Sequence, residues 1–314
     1  MTPTNITASV RARLTSKARE TGRPFQEILQ FYAMERFLYR LSVSPHASRF
    51  VLKGALMLLV WDAPSPRPTM DVDLLGRLDN SLDNLTRVVR DLCAFVVPPD
   101  GLVFDSETVK VERIAKDADH QGVRARFIGL LDRARISMQL DIGFGDTVVP
   151  EPVKVEYPTL LGHPAPNLLG YPREAAIAEK LEAMVKRGSL NSRMKDFYDV
   201  WLLARHFAFD GTTLGRAIAS TFAARETPLE TRPLALTAAF AERPDTQRLW
   251  SAFVTRSGLR DAPDSLAHVV GEVGAFLLPV LEACSTSAAF QKAWLPGGPW
   301  RSDADPIAPP VRLP

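Results

Sequence analysis

The chain is poor in cysteine. Its 314 residues include two, Cys93 and Cys284, which stand far apart and fit no metal-ligand spacing. Five histidines (His46, His120, His163, His206 and His268) are scattered singly, so neither a disulfide scaffold nor a Cys/His zinc site is expected. Long apolar runs are missing too. The longest, Ala55 to Trp61, falls far short of the roughly 20 residues a membrane helix needs, and Met1 to Val10 lacks the basic-then-apolar layout of a signal peptide. The expectation is a cytoplasmic protein with no membrane association. Charge of one sign is also lacking: 38 Lys plus Arg against 36 Asp plus Glu leave +2. A nucleic-acid partner would therefore have to be met by a local basic patch. No internal repeat or low-complexity tract stands out.

What is present is ordinary globular material, 46% hydrophobic and 24% charged, in a chain longer than the roughly 250 residues at which one core stops growing. Two structural units are expected. From Thr7 to Ser42 apolar residues recur at three- and four-residue steps, and Gly22 and Pro24 break the run into two helices. From Arg49 onward the texture changes to short apolar runs between turn residues. Strands are predicted over Phe50 to Leu52, Val72 to Leu75, Thr108 to Ile114, Val123 to Ile128 and Ile136 to Phe144, with a helix behind Ser81 as its N-cap. The proline-rich stretch from Glu151 to Pro172 reads as a crossing between units, with a short strand at Val153 to Val155. Pro172 opens a helix that Gly188 can close, and Ser192 to Phe207 reads as another. Helix formers follow to about Ala293, then a proline-rich tail. The division expected is N-terminal helices over 1–45, an α/β core over 46–160, a helical domain over 161–295 and the tail over 296–314.

Four features can carry chemistry. In Thr69-Met70-Asp71-Val72-Asp73-Leu74 strand alternation puts Asp71 and Asp73 on one face. Two carboxylates so placed repel by roughly 4 kcal/mol at 4 Å and an effective dielectric of about 20, so a cation between them is expected, and Mg²⁺ suits oxygen ligands of this kind. An isolated Asp-x-Asp also fits a solvated strand face. Lys53-Gly54-Ala55 lies between a strand and a helix-like run, where a glycine allows close backbone approach to a phosphate, or simply makes a turn. Asp141 projects from a cleanly alternating strand. Beside Asp71 and Asp73 it would complete three carboxylates of the kind a two-metal phosphoryl-transfer site requires. The fourth feature is a helical pair carrying Glu179-Lys180 and Arg193-Met194-Lys195-Asp196-Phe197-Tyr198-Asp199. Arg193 and Asp196 share a face there, as a structural ion pair would.

Taken in this order, these residues resemble the AbiEii/AbiGii family of nucleotidyltransferase toxins, relatives of the DNA polymerase β-type transferases. The resemblance runs from about Arg49 to Arg205 and rests on Lys53-Gly54-Ala55, Arg67-Pro68-Thr69-Met70-Asp71-Val72-Asp73, Asp141, Glu179-Lys180 and Arg193 to Asp199. It implies an α/β nucleotidyltransferase fold with a mixed sheet and a C-terminal helical domain. The implied activity is transfer of a nucleoside monophosphate from an NTP with loss of pyrophosphate. Asp71, Asp73 and Asp141 would hold two Mg²⁺ ions, and Asp141 would help to activate the attacking hydroxyl. Lys180 would neutralise the triphosphate, and Arg193 and Asp196 would hold the helical face toward the nucleotide. Lys53, Gly54, Arg67 and Thr69 complete the implied nucleotide site. Thr69 also sits where self-modifying relatives carry their acceptor hydroxyl. The family's second glycine is Ala55 here and the hydroxyl beside it is Leu56, a departure expected to weaken or reposition contacts to the β- and γ-phosphates.

Mycobacterial relatives extend the 3′ end of tRNA, which implies tRNA as acceptor, arrest of translation, and a cognate AbiEi-like antitoxin encoded alongside. A basic face is needed for tRNA. Its candidates are Arg11, Arg13, Lys17, Arg19, Arg23, Arg36 and Arg40 near the N-terminus, and Arg124, Arg126, Arg133 and Arg135 on strands. Two alternatives stay open: a small-molecule nucleotidyltransferase of the antibiotic-modifying kind, and an inactive nucleotide- or protein-binding module. Lys180, on a helix surface, is expected to be removable with little change in stability.

Overall fold

The structure, a computed structural model, describes residues 3–117, 120–286 and 288–302. Most of the proline-rich tail, 303–314, lies outside the described residues. The chain forms two units, one of residues 1–62, 66–146 and 152–171, the other of 63–65, 147–151 and 172–314.

The first unit opens with α1 (Pro3–Thr21) and α2 (Phe25–Val43), separated at Gly22, whose φ is +66°. Then come β1 (Phe50–Lys53), α3 (Leu56–Val60), β2 (Val72–Gly76), α4 (Leu82–Ala94), β3 (Val103–Asp117), β4 (His120–Leu131), β5 (Ala134–Phe144), β6 (Val153–Glu156) and β7 (Asn167–Gly170). Seven strands form one mixed sheet in the order β3-β4-β5-β2-β1-β7-β6, parallel at β5/β2 and at β1/β7. The segment read as a crossing thus supplies two strands. Its prolines flank β6 and β7 and spare their paired residues.

Alternation separates the faces of the sheet. Phe50, Leu52, Val72, Leu74, Val123, Ala125, Met138, Leu140 and Ile142 enter the core with the apolar sides of α1, α2 and α4. On α4 the buried stripe is Leu85, Val88, Val89 and Leu92, each worth about 1.5–3 kcal/mol in burial. Ser81 precedes this helix but makes no side-chain cap; its hydroxyl donates to Asp79 instead. On α2, Arg36 and Arg40 are buried and reach Asp100 at 3.2 and 2.7 Å. Among the other N-terminal cations, Arg11 pairs with Asp132, Lys17 with Glu20 and Arg23 with Glu27, while Arg13 donates to the Leu161 carbonyl. Arg36 and Arg40 are therefore lost to the expected N-terminal basic face, while Arg11, Arg13 and Arg19 stay exposed on α1.

The second unit contains α5 (Arg173–Arg187), α6 (Met194–His206), β8 (Phe209–Asp210), α7 (Gly211–Ala224), α8 (Ala238–Ala241), α9 (Pro244–Ser257), α10 (Leu266–Ser285), β9 (Ala293–Trp294) and β10 (Trp300–Arg301). Pro172 and Gly188, with φ +48°, bound α5 as the sequence predicts. Of the described helices, α10 alone is long and apolar enough to cross a membrane. Here it is the central helix of its unit, with Val269, Val273, Phe276, Leu277, Val280 and Leu281 buried.

Candidate active site

The sheet register sets five charged residues of the first unit in one row. Glu112 on β3 is opposite Arg124 on β4, Arg124 opposite Asp141 on β5, Asp141 opposite Asp73 on β2, and Asp73 opposite Lys53 on β1. Arg124, Asp141 and Asp73 each sit between core-facing neighbours, so the row lies on the face opposite that core. Asp73 and Asp141 are thus direct neighbours on parallel strands, about 4.8 Å apart along the hydrogen-bonding direction. Asp71 precedes β2 on the same face as Asp73.

Two neighbouring carboxylates need positive charge, and the row supplies it at each end. Arg124 donates Nε and a terminal N–H to the two oxygens of Asp141, both at 2.7 Å. This fork-to-fork pair holds a carboxylate that is 5% exposed. The hydrogen bonds of Asp141 raise the pKa of Arg124, and the nearby charges of Asp141, Asp71 and Glu112 add to the effect. Lys53 donates to Asp146 at 2.7 Å and to the Tyr171 hydroxyl at 3.3 Å, its ammonium 4.8 Å from the Tyr171 ring centre. Thr69 is buried and donates its hydroxyl to Asp71. Arg67 lies half-buried in the loop entering β2.

Gly54 has a definite task. Its φ is +73°, and a Cβ built there would overlap the Asp73 carboxylate. Only glycine lets the backbone lie against that side chain. Ala55, where the family has a second glycine, has right-handed helical angles and precedes α3, so it is sterically unstrained.

The sequence implied a three-carboxylate metal cluster. Among the described residues, no three His, Cys, Asp or Glu side chains are grouped to hold a metal ion. Each oxygen of Asp141 accepts a hydrogen bond from Arg124. Asp71 and Asp73 remain a same-face pair of oxygen donors.

The other expected residues gather within the second unit. Lys180 on α5 donates to Asp196 at 3.0 Å and to Asp199 at 2.6 Å, both on α6. Arg193 Nε lies 2.7 Å from the second oxygen of Asp196 as an ion pair, out of line for a hydrogen bond. Burial by itself would raise the pKa of Asp196, but Lys180 and Arg193 outweigh it and hold the group at about 2. Lys180 is therefore no free surface lysine. It is the cation of two carboxylates that are 1% exposed, and the expectation that its removal is nearly neutral for stability is corrected. Glu179 and Glu182 of α5 pair with Arg225 at 3.5 and 2.8 Å, which ties α5 to the end of α7.

Sequence reasoning assigned no role to Asp146, Tyr171 or Asp199, and placed Arg124 in a basic patch rather than beside Asp141. The Arg124–Asp141 pair has a readable origin: β4 and β5 are joined by the two-residue turn Asp132-Arg133, and counting outward from Leu131 and Ala134 reaches Arg124 and Asp141 together.

Residues 36–271 match the model of the nucleotidyl transferase AbiEii toxin family of type IV toxin–antitoxin systems. The chain belongs to this family, and membership implies an antitoxin partner. It is similar in structure to the nucleotidyltransferase toxin MenT4 of Mycobacterium tuberculosis, with 18% identity, a TM-score of 0.47, and 88% of this chain and 99% of that one covered. It is also similar to JHP933 of Helicobacter pylori, at 18% identity and a TM-score of 0.49 over 83% and 96% of the two chains. No curated protein sequence matches the chain.

Proposed function

We propose that this protein transfers a nucleoside monophosphate from an NTP to RNA, with the 3′ end of tRNA as acceptor, and thereby blocks translation and growth. The acceptor oxygen bonds to the α-phosphorus, the bond from that phosphorus to the bridging oxygen breaks, and pyrophosphate leaves. The hydroxyl proton passes to a carboxylate. The observation that carries this proposal is the in-register Asp73–Asp141 pair with Asp71 on the same face and the Gly54 backbone laid against Asp73.

Asp71 and Asp73 offer oxygen donors that suit Mg²⁺, and Asp141, whose oxygens each accept one hydrogen bond from Arg124, keeps further lone pairs beside Asp73. When bound, two Mg²⁺ ions supply positive charge to the triphosphate and to the attacking oxygen. Gly54 brings main chain close to this position, and Lys53 and Arg67 add cationic charge in the same unit. The proposed antitoxin is an AbiEi-like protein encoded alongside.

Incubation with each labelled NTP and total tRNA tests the proposal. Labelled RNA and released pyrophosphate are expected from the wild type and not from Asp73→Ala. Pyrophosphate release with a small hydroxyl compound but not with RNA would favour the small-molecule transferase.

A further inference from the structure

Next to Asp71 the first unit holds an open cavity of about 900 Å³ on the polar face of the sheet, at the top of the size range of small-molecule sites. Its rim is apolar at Met70, which is 56% exposed, and at Ile128. Its charged lining is Lys110 and Arg126, in register on β3 and β4, together with the carboxylates of Asp71 and Glu107. Arg126 also contacts Glu112 and Gln139. Lys110 is exposed and has neither an ion pair nor a hydrogen bond among the described residues. Farther along β5, on the same face, comes the exposed Arg135, also without an ion pair or hydrogen bond among the described residues. Arg135 and Asp141 are six residues apart, roughly 20 Å along a strand.

The geometry points to this cavity as the seat of the acceptor: the last few nucleotides of a single-stranded RNA 3′ end run along the face of β5 from Asp71 toward Arg135. The terminal hydroxyl lies at the carboxylates, a base rests on Met70 and Ile128, and phosphates follow Lys110, Arg126 and Arg135. This rests on the transfer reaction proposed above. Charge complementarity is the argument. Lys110 and Arg135, which have no ion pair among the described residues, strung out with Arg126 beside an apolar rim, suit a chain of bases joined by phosphates. They suit a small neutral hydroxyl compound poorly. The nucleotide side of the carboxylates is left to Gly54 and Lys53, on the opposite flank of β2.

The test uses the full chain and a short single-stranded RNA with a free 3′ hydroxyl. Three variants at exposed strand positions are compared: Lys110→Glu, Arg135→Glu and Ser137→Trp, the last filling the cavity. Each charge reversal should raise the KM for RNA roughly tenfold or more. Each neutralised contact should lower the salt slope of RNA binding by about 0.7. Ser137→Trp should block RNA transfer while binding of labelled NTP persists. If wild type transfers to RNA and all three variants match it in KM and salt slope, the seat is not here, though the transfer reaction stands. If wild type binds the RNA with these dependences but transfers nothing to it, the seat stands and the reaction fails. Labelling of a protein rather than RNA in cell extract, lost in Ser137→Trp, would overturn the RNA occupant.

Discussion

Asp73 and Asp141 are direct partners across the parallel β2/β5 pair, and Arg124 takes both oxygens of Asp141. The row therefore contains an internal conflict, since two like charges are held side by side by the sheet itself. Asp73→Asn relieves that repulsion while removing a ligand. The expected outcome is a thermal midpoint unchanged or slightly raised, with RNA labelling reduced by at least 10²–10³ and growth arrest relieved. Melting curves, labelling and growth at equal expression check all three. Undiminished arrest by Asp73→Asn would remove Asp73 from the chemistry.

Gly54→Ala should behave differently from Gly22→Ala. Both glycines have positive φ, +73° and +66°, but nothing lies within 4 Å of a Cβ at Gly22, whereas a Cβ at Gly54 meets Asp73. The shared backbone strain costs about 1 kcal/mol. The excess at Gly54, expected to be about 1 kcal/mol or more, measures the contact with Asp73. Urea denaturation of the two variants gives the difference directly.

Much of this was legible in the sequence because the first unit obeys short-range rules. The alternation of Ile136 to Phe144 fixed the face of Asp141, Gly22 with Pro24 separated α1 from α2, and Pro172 with Gly188 bounded α5. What stayed hidden depends on which strands become neighbours. Asp73 meets Asp141 only because β2 inserts beside β5 rather than beside β3, and Lys53 meets Asp146 and Tyr171 only after β7 has joined β1. The N-terminal arginines show the same limit from the other side. Arg36 and Arg40 look like surface charge on a helix, yet they serve Asp100 in the core, a partner about sixty residues away that no helical periodicity reports.

Arg124→Met should leave Asp141 buried without its cation. Arg124 is 27% exposed, so water screens part of the pair, and a loss of about 1–3 kcal/mol is expected rather than the full cost of a wholly buried one. In the double variant Arg124→Met, Asp141→Leu no carboxylate remains to be neutralised, and most of that loss should return. A denaturant double-mutant cycle checks it. Additive losses would mean that the two side chains are not coupled.

Lys180 holds the sharpest prediction because it joins stability to pH. Asp196 titrates near 2 in the folded chain and near 3.9 when unfolded, so folding favours its ionised form. The resulting stabilisation is on the order of 2 kcal/mol; it is fully present above about pH 4 and is lost as pH falls toward 2. Lys180→Met removes the shared cation of Asp196 and Asp199, and at neutral pH it should cost about 3–5 kcal/mol, as breaking a buried pair does. Burial is then opposed by Arg193 without Lys180, so the pKa of Asp196 rises back toward its unfolded value and acidification costs the variant less. The fall in stability below pH 4 should shrink in the variant. Denaturant unfolding of wild type and Lys180→Met from pH 7 to 2.5 reads this out, and parallel profiles would show that Lys180 does not set the charge state of Asp196. Lys180→Arg, which keeps a cation for both carboxylates, should recover most of the lost stability and restore the wild-type pH profile.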